Sequence, residues 1–414
     1  QQMRGVLSLG KKLKKRKREM RKINSMRCQA AAAVSAAVMG AAPQLFAQAE
    51  RPNILFIMAD DLGPDGFGCY GSETFSNRTP RIDALATNAM RFTRAYCTAV
   101  CSPTRAQILT GQYPFRNGTL DIDGSKYLYA PNKPNLTQVL SEAGYTTGGA
   151  GKSVDDNWHN DNFMDEYLNS GTSAYWNYSS YNRVGPSTVN PADYDYFPDA
   201  MQAYTLDFLD RHYPRAANAN KPFYFYYSLI NPHGPVLETP DSEPGETDRG
   251  ELFIDNVEYI DKIVGEVVDK LTALGILDTT LLIVTGDNGS HGTDQSRLWD
   301  AGSSSYREID GAKGDRDQNR EGTALVPFIV HWPDVIDSPS VVDDLTDFTD
   351  LLPTYADVAG QSLTTNWVLD GQSIAPLLRG DAGWTPREWV YHQIQNSWCV
   401  RGTEYRLNRD GRFS

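Results

Sequence analysis

Apolar positions along this chain follow two rhythms. Short runs at Asn53–Ala59, 222–230, 281–285 and 326–332 are almost continuously apolar, the pattern of strands covered on both faces. Between them lie stretches whose apolar residues recur every three or four positions. The clearest, 253–274, sets Ile254, Val257, Ile260, Ile263, Val264, Val267 and Val268 along one stripe and predicts a long amphipathic helix. Pro80–Ala86, 102–110, Leu136–Glu142 and 351–359 predict shorter helices, with Pro103 in the first turn of the second. This alternation predicts an α/β domain built on a mostly parallel sheet. Two stretches break the rhythm. Residues 155–200, rich in Asn, Asp, Ser and Tyr, read as a surface insertion rather than core. From Asp370 a Gly/Arg/Trp-rich segment reads as a small additional layer, and it stops at 409–414 as if cut mid-element.

Composition narrows the class. The 414 residues are 40% apolar and 22% charged, which fits a globular protein and excludes a disordered chain or a membrane bundle. The charge is unevenly placed: residues 1–49 carry eleven Lys/Arg and one acidic residue, leaving 28 basic against 51 acidic side chains beyond them. So acidic a body repels nucleic acid, and an anionic substrate must meet a local basic pocket. The first 49 residues read as a leader that ends in a secretory signal peptide. Basic residues at 11–18 precede an alanine-rich apolar run at 30–42, too short to span a bilayer, and then Phe46-Ala47-Gln48-Ala49. A periplasmic or secreted protein is expected, with no integral membrane span after cleavage and Met26 as a candidate start. A basic nucleic-acid-binding tail is the alternative. Cleavage after Ala49 removes Cys28 and leaves Cys69, Cys97, Cys101 and Cys399, an even number that permits disulfides in an exported protein.

Candidate chemistry begins at the strand ends. Two strand patterns far apart in sequence run into acidic clusters, Asp60-Asp61 and Asp287-Asn288, and ligand sites in parallel α/β sheets form beyond the carboxyl ends of strands. Three carboxylates and an amide oxygen make a hard oxygen cage, suited to Ca²⁺ or Mg²⁺ rather than zinc. Taken singly, each cluster also reads as a turn or helix cap. Cys101 stands just before a predicted helix, where unpaired backbone N–H groups favour a thiolate or a bound anion. A buried structural cysteine is the other reading.

Residues 99–111, Ala-Val-Cys-Ser-Pro-Thr-Arg-Ala-Gln-Ile-Leu-Thr-Gly, resemble the signature of the type I, formylglycine-dependent sulfatases of the alkaline phosphatase superfamily, whose core is Cys-x-Pro-Ser-Arg. Thr104 stands in the usual Ser position. Similar segments follow the family order: 51–63 (Arg-Pro-Asn-Ile-Leu-Phe-Ile-Met-Ala-Asp-Asp-Leu-Gly), Cys-Tyr-Gly at 69–71, Thr-Gly-Asp-Asn-Gly at 285–289, Gly-Ala-Lys-Gly at 311–314 and Val-Pro-Phe-Ile-Val at 326–330. The resemblance implies an alkaline-phosphatase-like sandwich, with a central mostly parallel sheet flanked by helices and a small C-terminal subdomain. The implied boundaries are 1–49 for the leader, 50–365 for the catalytic α/β domain and 366–414 for the C-terminal part.

The resemblance also implies a sulfuric ester hydrolase. In that family the cysteine, here Cys101, is oxidised to Cα-formylglycine by a formylglycine-generating or anaerobic sulfatase-maturing enzyme, and the aldehyde hydrates to a geminal diol. One hydroxyl attacks sulfur and the second expels sulfate. By position, Asp60, Asp61, Asp287 and Asn288 would hold one calcium ion that also touches residue 101. Arg105 would lie beside the diol, Lys152 and Lys313 would bind sulfate oxygens, and His233 would contact the sulfate or protonate the leaving alcohol. His291 follows closely enough to reach the same site. Two departures leave the substrate open: Gly151-Lys152-Ser153-Val154 lacks the family's Trp-His after the lysine, with His159 the nearest histidine, and Glu321 to Pro327 lacks the family's arginine. A sulfated small molecule or glycan is the expected substrate, with Tyr175, Trp176, Tyr178 and Tyr181 available to stack on sugar rings. A phosphoester or phosphonate hydrolase of the same superfamily and a non-catalytic glycan-binding relative are the alternatives.

Overall fold

A computed structural model describes residues 51–122, 135–152, 164–170, 175–176, 181–213, 221–290, 321–337, 339–363 and 366–413. The expected leader at 1–49 lies outside the described residues. Those residues run in the order β1 (Asn53–Ala59), α1 (Pro80–Ala86), β2 (Met90–Tyr96), α2 (Cys101–Thr110), α3 (Leu136–Glu142), β3 (Thr146–Gly151), β4 (Glu166–Ser170), β5 (Tyr181–Val184), α4 (Phe197–His212), β6 (Phe223–Ser228), α5 (Arg249–Ala273), β7 (Thr280–Gly286), β8 (Leu325–His331), β9 (Ser340–Val342), β10 (Thr346–Asp347), α6 (Leu351–Val358), β11 (Trp389–Ile394), β12 (Ser397–Gly402) and β13 (Arg406–Asn408). The main sheet has the order β10-β2-β8-β7-β1-β6-β3-β4-β5, with β9 also paired to β2. From β7 to β4 every pairing is parallel, while β8 runs antiparallel to both its neighbours and β5 closes the far edge antiparallel.

The unbroken apolar run of β1 follows from its central place. Leu55, Ile57 and Ala59 face one core, which α1, α4 and α5 cover with Ile82, Met201, Phe208, Val257, Ile260 and Val264. Ile54, Phe56 and Met58 face the other, covered by α2, α3 and α6 through Ile108, Leu140, Leu352 and Tyr355. Each Val, Leu, Ile, Met or Phe among them contributes about 1.5–3 kcal/mol on burial. Helix α5 starts where the Asp248 carboxylate accepts from the N–H groups of Gly250 and Glu251, the ordinary N-cap bond. Among the described residues, no helix is long and apolar enough to cross a membrane. The small C-terminal sheet is antiparallel in the order β11-β12-β13. It meets the main sheet through Val390, which packs with Tyr96, Leu325 and Leu345, and through Ile394, which packs against Ala99 and Val100.

The described part of 155–200 is divided: β5 and the residues to 186 are exposed, whereas β4 and three aromatic residues belong to the core. β4 pairs with β3 inside the main sheet, and Tyr175, Tyr196 and Phe197 are buried in the core beneath it. Polar composition hid this strand, although its one buried charged residue is satisfied: Glu166 pairs with Arg211 at 2.6 Å and with His212 at 2.5 Å. β3 escaped notice for a different reason. It reads Thr-Thr-Gly-Gly-Ala-Gly, and a Cβ on Gly148 would strike the rings of Phe208 and Phe225. The glycines therefore mark close packing within a strand rather than a turn.

Candidate active site

Strand register assembles the site. Ala59 of β1 lies opposite Gly286 of β7, and Ser228 of β6 lies opposite Gly151 of β3 and Met58 of β1. The next residues along these four adjacent strands, Asp60-Asp61, Asp287-Asn288, Lys152 and the segment through Asn231 to His233, therefore emerge from one edge of the sheet. The two acidic turns lock together. Asp287 N–H donates to Ala59 O at 3.0 Å, Asp61 N–H donates to Asp287 Oδ1 at 2.9 Å, and Asn288 Nδ2 donates to Asp61 Oδ1 at 3.0 Å. Asp61 has φ 68°, a left-handed backbone that aspartate tolerates better than most residues.

Helix α2 brings Cys101 to the same edge. Val100 precedes it in extended conformation and supplies no side-chain cap, and the whole helix is buried. The turn into the helix is held from below: Thr98 N–H donates to Thr104 Oγ1 at 3.2 Å, the two hydroxyls lie 3.1 Å apart, and Thr98 Oγ1 donates to Val100 O at 3.2 Å. Thr104, in the place of the familiar serine, thus acts through its hydroxyl. Cys101 is 4% exposed. Its sulfur and carboxylate oxygens of Asp60 and Asp287 lie within 4.8 Å of one another, as do ligand atoms of Asp60, Asp61 and His233.

Two cations share this buried space. Arg105 Nη2 lies 2.6 Å from Asp287 Oδ2 and 3.7 Å from Asp60 Oδ2. Its Nη1 donates to Lys152 O at 3.0 Å and also to Ser228 Oγ. Lys152 Nζ donates to Asp60 Oδ2 at 2.6 Å. Burial opposes the charge on Lys152, yet Asp60, helped by Cys101 and Asp287, outweighs it and holds the ammonium above its ordinary range. Asp287 is pushed up to about 7, first by burial and then by the charge of Asp60. With Asp287 ionised, three carboxylates against two cations leave one negative charge in excess.

The donor set fits an oxygen-seeking divalent cation. Asp60, Asp61, Asp287 and Asn288 are fully buried, and Asn288 Oδ1 has no hydrogen-bond partner among the described residues. A divalent ion would accept that oxygen, relieve the carboxylate crowding and turn the excess into one positive charge. That charge matches a singly charged sulfate monoester.

Of the sequence-predicted residues, Asp60, Asp61, Cys101, Arg105, Lys152, Asp287 and Asn288 come together here, with His233 at the rim. His233 is 20% exposed at its side chain, and its Nε2 lies 3.9 Å from Asp61 Oδ2. Lys313 and His291 lie outside the described residues, as does His159. Cys69, Cys97, Cys101 and Cys399 are free thiols. Tyr175 does not offer a stacking face: it is fully buried, and its hydroxyl lies 2.7 Å from the carbonyl oxygens of Ile230 and His233. Trp176 is partly exposed, its indole N–H donating to Glu238 O at 2.7 Å. Tyr181 lies exposed on the edge strand, and Tyr178 is outside the described residues. Glu321, four residues before Leu325 in the place of the missing arginine, pairs with Arg401 at 3.5 Å and Arg406 at 3.4 Å from the C-terminal sheet. Sequence reasoning passed over Ser228 and Asn231. The signal for both was position, since each is a polar residue where the apolar run of β6 gives out.

The sulfatase family model matches residues 52–361. Human arylsulfatase A is 30% identical over 404 residues, covering 87% of this chain and 75% of its own. The crystal structure of Ps i-CgsB in complex with k-i-k-neocarrahexaose superposes with a TM-score of 0.70 at 23% identity, covering 88% of this chain and 85% of that one. The phosphonate monoester hydrolase of Agrobacterium radiobacter superposes with a TM-score of 0.61 at 18% identity, covering 88% of each. At these identities the two structures speak to the fold alone.

Proposed function

The chain belongs to the sulfatase family and is a sulfatase, and on that premise we propose that it hydrolyses a carbohydrate sulfate monoester with Cys101 converted to Cα-formylglycine and one calcium held by Asp60, Asp61, Asp287 and Asn288. The observation that carries this reading is the meeting of Cys101 with Asp60 and Asp287 beside two buried cations. Bound there, calcium supplies Lewis-acid charge to the sulfuryl oxygens and the hydrated aldehyde supplies the attacking hydroxyl. Arg105 and Lys152 hold positive charge at fixed positions where the sulfuryl group gains negative charge, with no reorganisation needed as it develops. His233, on the solvent side, presents Nε2 to the leaving oxygen and gives it a proton. Lys313 is read as a further sulfate contact.

Support for a sugar substrate comes from the shared fold with Ps i-CgsB, which was solved with a neocarrahexaose. The leader supports export to the periplasm or beyond, and Cys101-Ser102-Pro103-Thr104-Arg105 supports maturation by a formylglycine-generating or anaerobic sulfatase-maturing enzyme. Residues 50–365 are read as the catalytic domain and 366–414 as the C-terminal subdomain.

The test uses protein co-produced with a formylglycine-generating enzyme. Mass spectrometry of the tryptic peptide 95–105 is expected to show one thiol replaced by an aldehyde, with Cys97 as the unmodified control in the same peptide. Turnover of paired sulfate, phosphate and phosphonate esters is then expected to favour sulfate. Two intact thiols in that peptide alongside sugar binding would identify a non-catalytic glycan binder, and faster phosphate or phosphonate turnover would move the activity to those esters.

A further inference from the structure

We propose that Tyr175 is a positioning residue for His233, its buried hydroxyl closing the turn that carries the imidazole to the rim of the carboxylate cluster. This rests on the reading of His233 as proton donor. The turn spans 230–233. Its own backbone bond runs from His233 N–H to Ile230 O at 2.9 Å, and the Tyr175 hydroxyl lies 2.7 Å from both Ile230 O and His233 O, bracketing the two ends of the turn. A second set of bonds holds the middle. Asp60 N–H donates to Asn231 O at 3.0 Å, and Asn231 Nδ2 donates to Tyr196 Oη at 2.9 Å and to Asn256 Oδ1 at 2.7 Å.

Tyr175 is itself fixed. Its ring is fully buried and stacks on Tyr196 at 6.2 Å between centroids, and its carbonyl accepts from Phe197 N–H at 2.7 Å. Two stacked tyrosines thus hold one turn at different atoms, Tyr175 at the carbonyls of Ile230 and His233 and Tyr196 at the Asn231 side chain, and the residue that turn delivers is His233.

The chemistry gives this geometry a specific readout. When the S–O bond breaks, its electron pair stays on the leaving oxygen, which takes the proton from His233 Nε2. A strongly basic leaving oxygen needs that proton at the transition state, whereas a 4-nitrophenolate leaves without it. A misplaced donor therefore penalises poor leaving groups and spares good ones. A merely structural role would lower all of them together.

The experiment measures kcat/KM of the matured full chain on aryl sulfates graded from 4-nitrophenyl to 4-methoxyphenyl sulfate. Variants are Tyr175→Phe, which keeps the ring against Tyr196, and Tyr196→Phe, which removes the hydroxyl gripping Asn231. His233→Gln and the Tyr175→Phe/His233→Gln pair complete the set. General acid catalysis is worth about 10²–10⁴-fold and a displacement of about 1 Å on the order of 10²-fold. Tyr175→Phe is thus expected to lose about tenfold more on 4-methoxyphenyl than on 4-nitrophenyl sulfate. Tyr196→Phe follows in the same direction, His233→Gln shows a larger loss of the same kind, and the double variant is no worse than His233→Gln alone. A steepening in His233→Gln with a flat or uniform response in both tyrosine variants would overturn the role of Tyr175 while leaving that of His233 standing. No steepening in His233→Gln would overturn both.

Discussion

Replacing Asp61 by asparagine separates metal binding from architecture. The change is isosteric, keeps an oxygen to accept from Asn288 Nδ2, and leaves the Asp61 N–H bond to Asp287 intact. Without metal, ligand oxygens of Asp60 and Asp61 lie within 4.8 Å of each other, a separation at which two like charges repel by about 3 kcal/mol at an effective dielectric of ~20. Asparagine removes that repulsion and also the attraction of Asp61 for Arg105 and Lys152, so the chelated variant is expected to melt at or above the parent. With calcium the order reverses. At a hundredfold excess over Kd the ion stabilises the parent by about 2.7 kcal/mol, and at about 2 °C per kcal/mol for a chain of this size that is a rise of about 5 °C. Losing one of three carboxylates is expected to weaken the site on the order of a hundredfold, and the same calcium then yields about 0.4 kcal/mol, a rise below about 1 °C. The assay is a thermal melt in chelator and in calcium for both proteins. A variant that keeps the full calcium rise would remove Asp61 from the metal site, and one that melts several degrees below the parent in chelator would make Asp61 a structural group.

Arg105→Ala leaves Asp287 buried beside Asp60 with its 2.6 Å partner gone, and loss of one member of a buried pair costs about 3–5 kcal/mol. Urea denaturation in chelator is expected to register that loss, and an unchanged midpoint would mean that Asp287 protonates without consequence. Thr104→Val removes the hydroxyl that accepts from Thr98 N–H at 3.2 Å and is expected to cost about 1–3 kcal/mol, whereas Thr104→Ser keeps it and stays near the parent; equal melts for the two would remove the hydroxyl from the argument. Inorganic sulfate is expected to raise the melting temperature only when calcium is present, because two cations among three carboxylates carry no net attraction for an anion. Equal stabilisation by sulfate in chelator would show that Arg105 and Lys152 suffice.

The features legible from sequence were those that each element imposes on itself. The run 53–59 announced a two-sided strand, and the spacing at 254–268 announced the stripe of α5, because in both cases burial leaves a periodic trace in the residues that do the burying. Asp60-Asp61 and Asp287-Asn288 were visible as clusters at strand ends. Their meeting was expected from the family resemblance, and neither strand pattern shows it by itself, since it depends on β1 and β7 being neighbours in register. Tyr175 was misread because an aromatic in a polar stretch looks like surface. Its burial comes from Tyr196 and the 230–233 turn, both remote in sequence. Strand β4 was hidden for the same reason, since Glu166 is satisfied by Arg211 and His212 from another element.

The same distinction between local and assembled properties explains how so acidic a chain accommodates an anionic ester. Beyond residue 49, acidic side chains outnumber basic ones by 51 to 28, and summed over the surface they repel the substrate. Surface charges, however, are screened over about 8 Å at physiological ionic strength, whereas Arg105 and Lys152 act from inside the fold, where screening is weak. Their effect depends on what surrounds them. In the bare site each cation is already matched to a carboxylate and one negative charge is left over. A divalent ion held by these carboxylates would reverse that sign and would, by drawing on their charge, leave the two cations available to the substrate. The third carboxylate, which looks redundant for pairing Arg105 and Lys152, is thus the one whose charge a divalent ion would answer.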